Sequence, residues 1–181
     1  MKRTLYLFLL VVFLILLFNY LPKNVLSQNF SFTYSDYQSK LSSFISEEKD
    51  FQIARSEYLT YKSLGSQEKA LVETKQFLEA RDEVTRVYLG ALGAKLAETP
   101  GITDSDKKTL QASLDNEMKY YEDHKKFISS AGSLEDVVAD SDEASERYLS
   151  TELLIYKTLI TILSGKEENF RANLYRIVSE L

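Results

Sequence analysis

No cysteine occurs in the 181 residues. That absence excludes a disulfide framework, a thiol nucleophile, a thiolate metal site and a lipid-modified cysteine anchor. Tryptophan is also missing, and histidine occurs once, as His124. One histidine cannot supply the two Glu-x-x-His motifs of a di-iron bundle. His124 has Tyr120 four residues before it rather than a second ligand, so no paired metal spacing forms around it. The register of its helix, read through Tyr121 and Lys125, places His124 in solvent. Only two prolines and six glycines interrupt the chain, so long unbroken helices are expected. Strict apolar alternation appears only around Phe30 and Phe32, and no glycine-rich phosphate loop follows a strand. Asp104-Ser105-Asp106 and Asp140-Ser141-Asp142-Glu143 lack the sixth-position glycine and twelfth-position glutamate of a calcium loop. The sequence therefore offers no catalytic set, no metal-ligand set and no cofactor motif, and a non-enzymatic role is expected.

What is present begins at the N-terminus. Lys2 and Arg3 precede an apolar run of 14 residues, Leu5 to Phe18, and Pro22 ends it. Val25-Leu26-Ser27 places short or small residues before a cut between Ser27 and Gln28. This order is that of a signal peptide over residues 1–27. The alternative is an uncleaved membrane anchor, although 14 helical residues rise only about 21 Å against a hydrocarbon core of about 30 Å. Either reading sends the rest of the chain out of the cytoplasm. Removing Lys2, Arg3 and Lys23 from the 22 basic residues leaves 19 against 27 acidic ones, a net of −8 for the exported part. That charge disfavours nucleic acid and anionic lipid as partners. Membrane contact is expected only through the N-terminal segment, if it stays uncleaved.

Residues 28–34 read as an extended linker, and residues 35–181 as one helical domain. Thr33 and Asp36 suggest a helix start, and Tyr37, Phe44, Phe51 and Tyr58 recur every seven residues along a helix from about Ser35 to Leu64. The apolar phase changes at Leu64-Gly65-Ser66, which predicts a turn there. A second helix from Gln67 to Glu98 carries Ala70, Phe77, Val84 and Ala91, with a small-residue patch at Gly90, Gly93, Ala94 and Ala97. That patch fits either close helix packing or a ligand gap. Thr99-Pro100-Gly101 stops this helix, and Thr103 with Asp106 caps the next. Leu110, Leu114, Met118, Tyr121 and Ile128 mark its buried face. Ser133 with Asp136 opens a fourth helix, whose seam is read through Val138, Tyr148, Ile155, Leu159 and Ile162. Its apolar stretch from Leu153 to Leu163 reads as core. Ser164-Gly165 predicts a break before a fifth helix carrying Phe170, Leu174, Ile177 and Leu181. Ten of the twelve tyrosines follow residue 27. Pairs such as Tyr58/Tyr61 and Tyr120/Tyr121 cannot all face one core, which leaves some phenols for a rim or a partner surface.

The expected fold is all-α, an up-down bundle of four to five helices built from two long helical hairpins. Tyr58-Leu59-Thr60-Tyr61-Lys62-Ser63-Leu64, Ala80-Arg81-Asp82-Glu83-Val84 and Tyr88-Leu89 follow an export segment and Phe30-Ser31-Phe32-Thr33-Tyr34-Ser35-Asp36-Tyr37. In this pattern the chain resembles exported helical proteins of small-genome, candidate-phylum bacteria. The resemblance implies export and helicity and no particular activity. The leading expectation is a structural or interaction module of the cell envelope, partnered by an envelope protein or by itself. The alternatives are a small-ligand-binding or sensor-like bundle using the Gly90–Ala97 gap, and an envelope holdase chaperone.

Overall fold

The computed structural model describes residues 30–180. Four helices account for nearly all of them: α1 Phe30–Tyr61, α2 Leu64–Glu98, α3 Asp104–Ser130 and α4 Leu134–Ser179. No strand occurs among the described residues, so the fold is all-α. The proposed cut between Ser27 and Gln28 lies outside the described residues.

α1 begins earlier than its sequence suggests, because tertiary contacts fix its first turn. The Phe30 ring stacks on Tyr34 at 5.5 Å, and the Lys95 ammonium sits 4.7 Å from the Phe30 ring centre. The Phe30 amide donates to Glu98 at 2.8 Å. Thr33 is therefore inside the helix, bonding its hydroxyl back to the Phe30 carbonyl, and residues 30–34 are helical rather than extended. At the other end the turn falls three residues before Gly65. Lys62 takes the left-handed conformation with φ 47°. Ser63 and Ser66 then cap α2 reciprocally, which starts the helix at Leu64 and leaves Gly65 inside its first turn. The other two caps form as read: Thr103 accepts from the Asp106 amide, and Ser133 forms a capping box with Asp136.

Paired contacts run in opposite directions along neighbouring helices. Tyr37 meets Tyr88, and Phe44 and Phe51 both stack on Phe77, which sets α1 antiparallel to α2. Glu79–Ser129 and Lys107–Ala97 contacts do the same for α2 and α3. Among the described residues, α2 touches every other helix, α3 also packs on α4, and α1 packs only on α2. The four helices thus do not share one core. Leu89, Leu92, Leu96, Leu110, Leu114, Tyr121 and Ile162 fill the centre of the α2–α3–α4 unit. Leu78, Ile128 and Val137 fill a second centre nearer its other end.

The predicted break at Ser164-Gly165 does not form, and α4 runs on as one helix of 46 residues. Gly165 serves packing instead. The α2–α3 connection crosses α4 there, and a β-carbon on Gly165 would overlap the Ile102 side chain. Gly101 faces it with φ +79°, and its own β-carbon would overlap the Gly165 carbonyl. Both glycines are required by this crossing of backbone on backbone.

Candidate functional site

The buried face of α3 follows a strict 4-3-4-3-4 spacing: Leu110, Leu114, Glu117, Tyr121, His124 and Ile128. Two polar side chains thus stand where a coiled-coil seam expects apolar ones. His124, expected in solvent, is 4% exposed. Its Nδ1 contacts the Asp82 carboxylate, and its Nε2 lies 3.0 Å from the Asp140 carbonyl. Both ring nitrogens face acceptors, so both donate and the ring is an imidazolium. The hydrogen bond to Asp82 raises the His124 pKa above its ordinary value, against the opposing effect of burial. Arg81 donates to the other Asp82 oxygen through Nε and Nη2, both at 3.3 Å.

Two turns earlier on α3, Glu117 accepts a two-point contact from Arg147 of α4, at 3.1 and 2.8 Å. Thr151 donates to Glu117 at 2.6 Å and lies 2.9 Å from the Tyr121 hydroxyl. The Tyr120 ring connects the two clusters: it stacks on His124 at 5.7 Å and lies 4.1 Å beneath the Arg147 guanidinium. The layer joins α2, α3 and α4 through charge-assisted bonds. Both ring nitrogens of its histidine are engaged, one by Asp82 and one by the Asp140 carbonyl. Among the described residues, no group of three or more His, Asp or Glu could hold a metal ion.

The small-residue patch lies partly against α3. A β-carbon on Gly93 would press on the Gln111 side chain, and one on Gly90 would touch the Met118 sulfur at 3.5 Å. Ala94 is half-buried and Ala97 exposed. A cleft of about 680 Å³ opens elsewhere, lined by Phe51, Tyr58, Phe77, Val137 and Val138 among others.

α4 differs most from its sequence reading. Its packed seam is Val137, Ala144, Thr151, Thr158 and Gly165, one residue every seven, joined by Ile162. Val138 and Tyr148, expected in that seam, are exposed, whereas Ile155 and Leu159 pack partly on the core. The large apolar residues mostly point outward. Leu153, Tyr156, Ile160 and Leu163 are all exposed, so the stretch expected to be core turns half of its surface to solvent. After Glu167 the exposed set continues with Phe170, Leu174 and Ile177. With Leu149 before it, the series steps by 4 and 3 residues throughout. From Phe170 to Ser179 every residue of α4 is exposed. Helix rise makes that a projection of about 15 Å beyond the packed part. Among the described residues, no helix is long and apolar enough to cross a membrane.

No protein-family model, curated protein or solved structure matches the chain.

Proposed function

We propose that this chain is an exported, non-enzymatic interaction module of the cell envelope, an up-down helical bundle that presents α4 to a helical partner. The single observation that carries the reading is the exposed apolar seam of α4, which runs without interruption except at Glu167. The seam repeats at steps of 4 and 3, with Tyr148, Tyr175 and Val178 exposed beside it, and that register fits one further helix. Such a large exposed apolar patch marks an interaction surface. The buried polar layer supports a rigid scaffold, since its charged groups are mutually satisfied. Export rests on the pattern of residues 1–27, and the net charge of −8 beyond them suits a soluble exterior domain. The test is capture in intact cells with a photo-reactive residue at Leu163. Protein adducts there, and none from the exposed Ala112 position on α3, support the module. A chain that forms no protein adduct from the seam refutes it.

The 680 Å³ cleft favours a second reading, a site for a small apolar ligand, because its size and aromatic lining match such sites. Titration with an anilinonaphthalene dye tests it. Val138→Trp fills the mouth of the cleft and abolishes saturable dye binding; unchanged binding dismisses the reading.

A further inference from the structure

We propose that the helix received by α4 is the α4 of a second copy of this chain, running parallel, so that two seams close a two-stranded coiled coil. This rests on the reading of α4 as an interaction surface and names its partner.

Each packed residue Thr151 and Thr158 has exposed seam residues two positions before and two positions after it. Two residues correspond to about 200° around a helix, so the exposed seam lies diametrically opposite the packed one. A second α4 could therefore lie along the seam while both bundles hang outward, clear of each other. In heptad notation Leu153, Ile160, Glu167 and Leu174 are a positions, and Leu149, Tyr156, Leu163, Phe170 and Ile177 are d positions. A parallel pair places each d residue against its own counterpart.

Eight seam side chains are between 46% and 66% exposed. At roughly 100 Å² each, they bury about 800 Å² per copy, the area of a standard stable interface.

Charge selects the direction. In the parallel arrangement Glu152 meets Lys157 of the second copy, and the same pair forms again by symmetry. By the same rule Lys166 meets Arg171 of the second copy, a like-sign pair whose charge the two adjacent Glu167 side chains offset. The antiparallel alignment that overlays the seams, with Leu163 facing Glu167, makes no opposite-sign flanking pair. It sets Lys157 against Arg171, Lys166 against itself and Glu152 against Glu180, all of like sign. Glu167 is then the polar a position that fixes register and strand number at a cost in stability.

The full chain, with p-benzoylphenylalanine at Phe170, is irradiated in intact cells. An adduct of twice the chain mass is expected. An adduct with a different protein overturns self-pairing while leaving the interaction surface standing. Lipid adducts alone, or no adduct, overturn both. Because the chain lacks cysteine, Leu163→Cys and Phe170→Cys report direction without background. Each forms a disulfide-linked homodimer under mild oxidation if the helices are parallel. Crosslinking only when Ile160→Cys and Phe170→Cys are co-expressed refutes the parallel arrangement. In sedimentation in mild detergent, Leu163→Glu with Phe170→Glu weakens the dimer by about a hundredfold or more with helicity unchanged. Glu167→Leu tightens it by about tenfold or more. A dimer indifferent to both substitutions overturns the proposal.

Discussion

Replacing His124 by leucine tests whether the polar layer is a structural lock. The Asp82 side chain is 0% exposed and the His124 side chain 4% exposed, so the variant leaves a carboxylate in the interior without its imidazolium. Removing one partner of a buried pair costs about 3–5 kcal/mol. Arg81 still donates to Asp82 and is itself 26% exposed, which places the cost near the lower end, about 3 kcal/mol. For a domain of this size that corresponds to a fall in Tm of roughly 6–12 °C. Replacing Asp82 and His124 together by leucine removes both charges, and its net cost is within about 1 kcal/mol. The pH dependence carries a sign. The folded pKa of His124 is raised by its hydrogen bond to Asp82. Its contribution is complete below the unfolded value of about 6.5 and is lost as pH rises through the folded one. Urea unfolding followed at 222 nm, at pH 6 and pH 9 in mild detergent, measures all three quantities. A cost under about 1 kcal/mol for His124→Leu, or a decline in its stability with alkaline pH as steep as that of the parent chain, refutes the lock.

Three further outcomes follow from local geometry. Lys62→Gly stabilises the chain by about 1 kcal/mol, since Lys62 holds φ 47° at no benefit to its exposed side chain; an unchanged urea midpoint counts against this. Gly101→Ala costs about 3 kcal/mol, combining its positive φ with the overlap on Gly165, and a loss below 1 kcal/mol in the same assay rejects the close crossing. Glu83, held down to about 2 by its bonds to Arg86 and then Lys125, contributes stability that is present above about 4.5 and lost as pH falls through about 2. Glu83→Gln therefore flattens the acid side of the stability profile, and an identical acid limb in the two chains excludes the clasp.

The aromatic ladder of α1 and the caps at Thr103 and Ser133 were legible because each depends on a few neighbouring residues at fixed spacing. The start of α1 was not, because Glu98 and Lys95, more than sixty residues away, hold its first turn. His124 was missed for a different reason. Following residue type led the α3 seam through Met118 and Lys125. The spacing begun by Leu110 and Leu114 continues through Glu117, Tyr121 and His124, and strict register was the signal that could have found both buried polar residues. On α2, Gly93 lies against the end of the Gln111 side chain, and Ala97 is exposed.

α4 shows how hydropathy and packing can select opposite faces of one helix. Its apolar stretch from Leu153 to Leu163 reads as core, yet Leu153, Tyr156, Ile160 and Leu163 within it face solvent. The neighbouring backbone comes too close for them. At Gly165 even a methyl group collides with Ile102, and the packed positions above it are Thr158, Thr151 and Ala144. Side-chain volume decides this face, and the threonines bury cheaply because each bonds a nearby acceptor: Thr158 its own helix at Leu154, Thr151 the Glu117 carboxylate. The large residues are then left on the far side, where burying them would contribute roughly 1.5–3 kcal/mol each. A helix that leaves that much unrealised stabilisation in a heptad register, and extends it past the end of its own bundle, is better matched to a second helix than to water.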